Sequence, residues 1–251
     1  MNSSVKFTRW AEETDQRATS GRRHVHLGQV RTEVVAQFAQ IHGWSILGAV
    51  VVGFALGAAG SLLTRRFVPL GRVAARSWWL GALITAVVLG LVAWRVRPGG
   101  ELVVDGFVAV LSVPLTIIDW CEHRLPRALV WPQLGGALVG FSILCVARDD
   151  AGPGVRAVTA FVAVAGLFLL LALVTAGGVG AGDIGAAGVV GLVTGWIGWP
   201  PVAGALSVAS LLALVLVAVP AVRQRTAEGS VLVPFGPCLY AGALAMVAAA
   251  G

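Results

Sequence analysis

Residues 157–199 read AVTAFVAVAGLFLLLALVTAGGVGAGDIGAAGVVGLVTGWIGW, and Asp183 is the one ionisable side chain among them. Two apolar runs, 157–175 and 184–199, flank a break rich in glycine, Gly177-Gly178-Val179-Gly180-Ala181-Gly182. Glycine interrupts a helix there because it lacks a Cβ and ranges freely in φ. An apolar helix of about 20 residues, rising ~1.5 Å per residue, crosses the ~30 Å hydrocarbon core of a bilayer. The stretch therefore reads as two membrane helices with an aspartate at the start of the second.

The same pattern continues in both directions. Apolar segments are expected at 44–63, 78–95, 102–118, 128–147, 157–175, 184–199, 202–222 and 234–250, which predicts an all-α, polytopic membrane protein of about eight transmembrane helices. Residues 1–43 form a polar tail, with a short helix expected over Val30–Gln40, and 44–251 form the membrane domain. The composition agrees: of 251 residues, 57% are hydrophobic and 12% charged, about half the charge of an ordinary soluble chain. Trp44, Trp78, Trp79, Trp94, Trp196 and Trp199 fall near segment ends, where interfacial anchors belong. No apolar signal-peptide core precedes the first segment. Cys121, Cys145 and Cys238 follow no paired spacing and read as small apolar helix residues.

The net charge of +6 does not point to nucleic acid, because the basic residues sit in the tail and in short loops. They report orientation instead. With the amino terminus outside, the inner loops hold Arg65, Arg66, Arg72, Arg76, Arg124, Arg127, Arg223 and Arg225, against Arg95, Arg97, Arg148 and Arg156 outside. On that topology Asp119 and Asp183 both lie at the inner ends of their segments.

Carboxylates in apolar segments cost at least ~2.5 kcal/mol each and need a reason to be there. Glu101 and Asp105 stand at the outer end of the third segment and are expected to reach the headgroups. Asp119 closes that segment, and Glu122 and His123 read as loop residues beyond it. Asp183 opens the sixth. Its neighbouring glycines admit either an extended backbone against the carboxylate or a local φ above zero, and an aspartate there also caps helix N–H groups. Two carboxylates brought together from different helices cannot both ionise, so they share a proton, and one activates water while the other polarises a carbonyl.

Three ordered motifs carry a resemblance. Asp119 is followed at the sixth and seventh positions by Leu125-Pro126, Gly180-Ala181-Gly182-Asp183 is a GxGD sequence, and Pro234-Phe235-Gly236-Pro237-Cys238-Leu239 reads PFGPxL. Together they resemble the prepilin leader peptidases over roughly the carboxy-terminal half. More weakly, Gly60-Ser61 leading to Arg65-Arg66 is similar to that family's first helix. The resemblance implies a membrane-embedded aspartic endopeptidase of the bacterial plasma membrane. It would cut the basic leader from type IV prepilin-like or Flp-type precursors at the cytoplasmic face, with Asp119 and Asp183 catalytic. Gly180, Gly182, Leu125, Pro126, Phe235, Gly236 and Pro237 would shape the site, and neither metal nor cofactor is implied. The chain departs from the family at Arg127, where asparagine is usual, and at Gly185, where lysine is usual. The loop between the first two segments lacks the paired CxxC sequences of the methylating members, so the likeness is to short forms that only cleave. Besides the precursor and the lipid bilayer no partner follows, and oligomeric state stays open.

Two other readings fit the same acids. A proton-coupled transporter also needs intramembrane carboxylates and broken helices, and a catalytically silent pilus-assembly scaffold would keep the fold. Pro126 is expected in the first turn of the fourth helix, and Pro132 and Pro220 as kinks or ends.

Overall fold

The computed structural model describes residues 43–62, 64–65, 77–175, 180–219, 224–225, 231–232 and 234–250. The chain divides into a unit Met1–Trp44 and a unit Ser45–Gly251, and the architecture below is that of the second. The helix expected over Val30–Gln40, the pair Gly177-Gly178 and Pro220 lie outside the described residues.

The helices are α1 Gly43–Leu62, α2 Trp78–Arg95, α3 Gly100–Glu122, α4 Arg127–Arg148, α5 Gly152–Val174, α6 Ala181–Ile197, α7 Trp199–Ala218 and α8 Gly236–Ala250. Between α7 and α8, strands β1 Gln224–Arg225 and β2 Val231–Leu232 pair antiparallel. Six of the helices are long and apolar enough to cross a membrane, and large apolar side chains such as Leu83, Val103, Val146, Leu173 and Leu214 face outward. An apolar exterior of this extent belongs against lipid, so the protein is an all-helical, multi-pass membrane protein. The other two helices, α6 and α8, have 17 and 15 residues, which makes them about 25 Å and 22 Å long.

The short helix α6 is the hub. It packs against α4, α5, α7 and α8, and every residue from Ala186 to Trp196 is buried. Small residues make this possible, since without them helix backbones in lipid cannot come close. A Cβ added at Gly191 would stand 2.7 Å from the Ala160 carbonyl oxygen of α5. The Thr194 hydroxyl, fully buried, satisfies itself by donating to the Val190 carbonyl at 2.7 Å.

The end of the bundle opposite Asp119 and Asp183 corrects three expectations. Trp196 is no interfacial anchor: it is 6% exposed and stacks on Phe141 at 4.5 Å. Its indole N–H donates to Glu101, which also pairs with Arg148 at 2.8 Å. Glu101 is thus held by protein groups, not headgroups, because its helix starts beside the end of α4. Asp105, one turn on, is half-buried and faces two cavities. From α5, Arg156 donates to the Gly195 and Trp196 carbonyls at 2.8 and 2.6 Å, closing the C-terminus of α6 with a cation. Trp44, Trp78, Trp79, Trp94 and Trp199 are exposed as interfacial residues should be.

The α5–α6 seam yields a direct test. Gly191→Ala is expected to destabilise the protein by about 1–3 kcal/mol through overpacking. Gly166→Ala, where a Cβ meets nothing within 4 Å, should be neutral or stabilising by up to about 1 kcal/mol. Thermal unfolding of the two variants in detergent compares them.

Candidate active site

The site is built where three chain turns meet. Helix α3 does not stop at residue 118 but continues through Glu122, so Asp119 lies in its last turn and Glu122 is helical. The helix ends at His123, whose φ of 51° and ψ of 39° are left-handed and whose N–H donates to the Asp119 carbonyl at 2.8 Å. Leu125 then turns inward and is buried. Pro126 sits just before the first turn of α4, as its N-cap, with φ −70°. Its carbonyl accepts from Leu129 and Val130. Pro132 lies inside α4.

The second turn starts α6. Gly180 is the N-cap, with φ −72° and ψ 149°, so it is extended and not left-handed. Its carbonyl accepts the N–H groups of Asp183 and Ile184 at 3.0 and 3.3 Å. In return its N–H donates to Asp183 Oδ2 at 3.0 Å. Gly182 is glycine because of contact: a Cβ there would collide with the Leu125 carbonyl oxygen and stand 2.7 Å from the Leu125 Cβ. Of the two uses the sequence allowed for these glycines, close approach is the one realised at Gly182.

The third turn starts α8. The Gly236 N–H donates to Asp119 Oδ2 at 2.8 Å, a charge-assisted contact between residues 117 apart in sequence. A Cβ on Gly236 would stand 2.8 Å from that same oxygen and 3.3 Å from Leu125 Cδ1. Phe235 is half-buried with its ring 5.7 Å from that of Phe168, and its carbonyl accepts the Leu239 N–H. Pro237 lines a cavity along α3. Leu125 is therefore the wedge between the starts of α6 and α8, in contact with Gly182 and Gly236 of the other two motifs.

Asp119 is 3% exposed and Asp183 half-buried. Gly182, next to Asp183, and Gly236, whose N–H holds Asp119, both pack on Leu125, so the two acids approach the same turn from two helices. Among the described residues, each has one oxygen tied to a backbone N–H and its Oδ1 without a donor, and neither forms an ion pair. Among the described residues no group of His, Cys, Asp and Glu is arranged to hold a metal. An acid pair of this kind can carry one proton between two carboxylates, and it offers two free oxygens to a water or a carbonyl.

Two residues the motifs do not include stand behind the pair. Tyr240, one turn along α8 from Gly236, donates its hydroxyl hydrogen to Gln133 Oε1 at 2.7 Å. Gln133, 0% exposed, donates from Nε2 to the Val108 carbonyl at 2.9 Å. This chain of bonds ties α8 to α4 and α3. A signal for it exists: Gln133 is the one side-chain amide between residues 43 and 223, and Tyr240 the one tyrosine in the chain. A lone amide in hydrocarbon needs a partner. Arg127 and Gly185, the two departures from the peptidase pattern, both line a cavity that Trp131 and Gly182 also line.

No protein-family model matches the chain, and no curated protein or solved structure is significantly similar to it.

Removing the Tyr240 hydroxyl leaves the buried Gln133 oxygen unsatisfied. Tyr240→Phe is expected to lower stability by about 1–3 kcal/mol. Adding Gln133→Leu to it should restore part of the loss, since an apolar pair leaves fewer orphaned groups. Thermal unfolding of the single and double variants reads the coupling.

Proposed function

We propose that this protein is an intramembrane aspartic endopeptidase that removes the leader from a prepilin-like precursor at the cytoplasmic face of a bacterial plasma membrane. The observation that carries the proposal is the pair itself. Asp119 and Asp183, from helices far apart in sequence, stand beside the two helix starts that pack on Leu125 at one end of an apolar bundle, and they meet no cation among the described residues. A structural ion pair would need such a cation, and a purely structural cap would need no second acid beside it.

In the proposed reaction one carboxylate, ionised, takes a proton from a water as that water's oxygen attacks the scissile carbonyl carbon. The other, protonated, gives its proton to the carbonyl oxygen as that oxygen gains charge, so the pair still holds one proton. The resulting tetrahedral diol collapses with transfer of a proton to the leaving amine, and the pair again holds one proton. Backbone donors at Gly236 and Gly180 fix one oxygen of each acid, which limits rotation of the carboxylates and preorganises them. The close contacts at Gly182 and Gly236 let the starts of α6 and α8 pack directly on Leu125 and Asp119, which holds the acids in place.

The test is processing of a prepilin from the same genome, co-expressed with the chain and followed by mobility shift. Asp119→Asn and Asp183→Asn each keep an oxygen able to accept the Gly236 or Gly180 N–H, so the fold should survive. Each should lose cleavage by about 100-fold or more, the scale of general acid–base catalysis. Unchanged cleavage in either variant would overturn the proposal.

A further inference from the structure

The face of α3 that ends at Asp119 carries Ser112 and Asp105 at successive sevens. A spacing of seven drifts by only about 20° around a helix, so the three side chains share one stripe. Along this stripe lies a cavity of about 200 Å³. Its floor is α3 from Asp105 to Ile117, and its walls are α2 and α8. At one end Thr116 and Pro237 line it, within one turn of Asp119 and next in sequence to Gly236. Ile84 and Ala241, on opposite walls, are exposed to the lipid side, so the cavity is a groove open to the membrane. At its far end, by Asp105 and Val247, it adjoins a polar cavity that Arg95, Glu101 and Arg148 line.

Asp105 is the unexplained group. It is half-buried, and no described residue donates a hydrogen bond or pairs with it. It borders the apolar groove on one side and, on the other, the polar cavity that Arg95, Arg97, Glu101 and Arg148 also line, and a carboxylate at such a boundary still gains from a donor on its apolar side. A lipid tail filling the groove brings no donor. A peptide helix does, from a serine, threonine or lysine side chain.

We infer that this groove seats the apolar helix of a membrane-inserted precursor, lying along α3 with its start beside Thr116 and Pro237 and a hydrogen-bond donor opposite Asp105. The inference rests on the peptidase reading for the identity of the occupant. Asp105 stands fourteen residues from Asp119, about 21 Å along the axis. Helices rise alike, so the donor falls about fourteen residues beyond the cleaved bond. Ser112 donates to its own helix at the Ala109 carbonyl, which leaves the middle of the groove effectively apolar and suited to aliphatic side chains.

The experiment is site-specific photocrosslinking in intact membranes. A benzoylphenylalanine is placed at Ala241 and, as a control on the exposed face of α7, at Leu214, in the Asp119→Asn background so that precursor is not consumed. The probe is a prepilin from the same genome. Adducts with the prepilin helix at Ala241 and none at Leu214 are expected. In the otherwise unaltered protein, Ser112→Phe, on the floor of the groove, should fill it and lower processing by about tenfold or more, equivalent to about 1.4 kcal/mol, at unchanged membrane abundance. Asp105→Leu should reduce the Ala241 adduct severalfold, and removing the prepilin's donor should add nothing further. Precursor adducts at Leu214 but not Ala241, or adducts at Ala241 only with lipid or a second copy of the chain, would overturn the inference. Crosslinking does not depend on cleavage, so the two readings fail separately. Precursor adducts at Ala241 with full processing by Asp119→Asn would remove the peptidase and keep the groove. Loss of processing without those adducts would remove the groove and keep the peptidase.

Discussion

A helix that begins inside an apolar bundle has N–H groups with nowhere to go, and a carboxylate is the strongest acceptor that can meet them. Two helices here are shorter than the others, α6 and α8, and a backbone N–H at the start of each donates to an aspartate. Gly180 donates to Asp183 within the same turn, and Gly236 donates to Asp119 across the bundle at 2.8 Å. The positive ends of both helix dipoles therefore face the acids. The start at Gly236 is buried and the start at Gly180 exposed, and in both the need of a helix N–H for an acceptor gives an aspartate its place. Structure and chemistry make the same demand of these residues, so replacing either acid with its amide separates the two roles: the cap survives and the proton donor or acceptor does not.

Much of this was legible in the residues. The eight apolar segments and their glycine, proline and arginine breaks coincide with the eight helices to within a few positions, because length and hydropathy alone decide where a chain crosses a bilayer. The site motifs were also visible as sequence. Their contacts were not. The Gly236 N–H reaching Asp119 is a relation between backbone and side chain over 117 residues, and no local pattern encodes it. For Glu101 and Trp196, position near a segment end suggested the interface, yet they meet each other because α6 is short and its end lies beside the start of α3. Glu122 looked like loop because charge marks the end of an apolar run, whereas the helix continues until His123 enters the left-handed region.

The bundle is also fastened behind the site. Tyr240, Gln133 and the Val108 carbonyl join three helices through buried bonds. In an apolar interior such a connected set is specific as well as stabilising, since any other register would strand its members. The residue that carries the Asp119 donor lies one turn from Tyr240, so the same brace sets the height of α8 against α3.

At the opposite end, Arg156 grips the last carbonyls of α6 while the small residues of that helix interlock with α5 along its length. Parting these two helices would strand a guanidinium and its acceptors in hydrocarbon together. They consequently travel as one rigid body, with Asp183 aboard. Any motion of α6 against α4 must part Leu125 from Gly182 at one end and the stacked rings of Phe141 and Trp196 at the other.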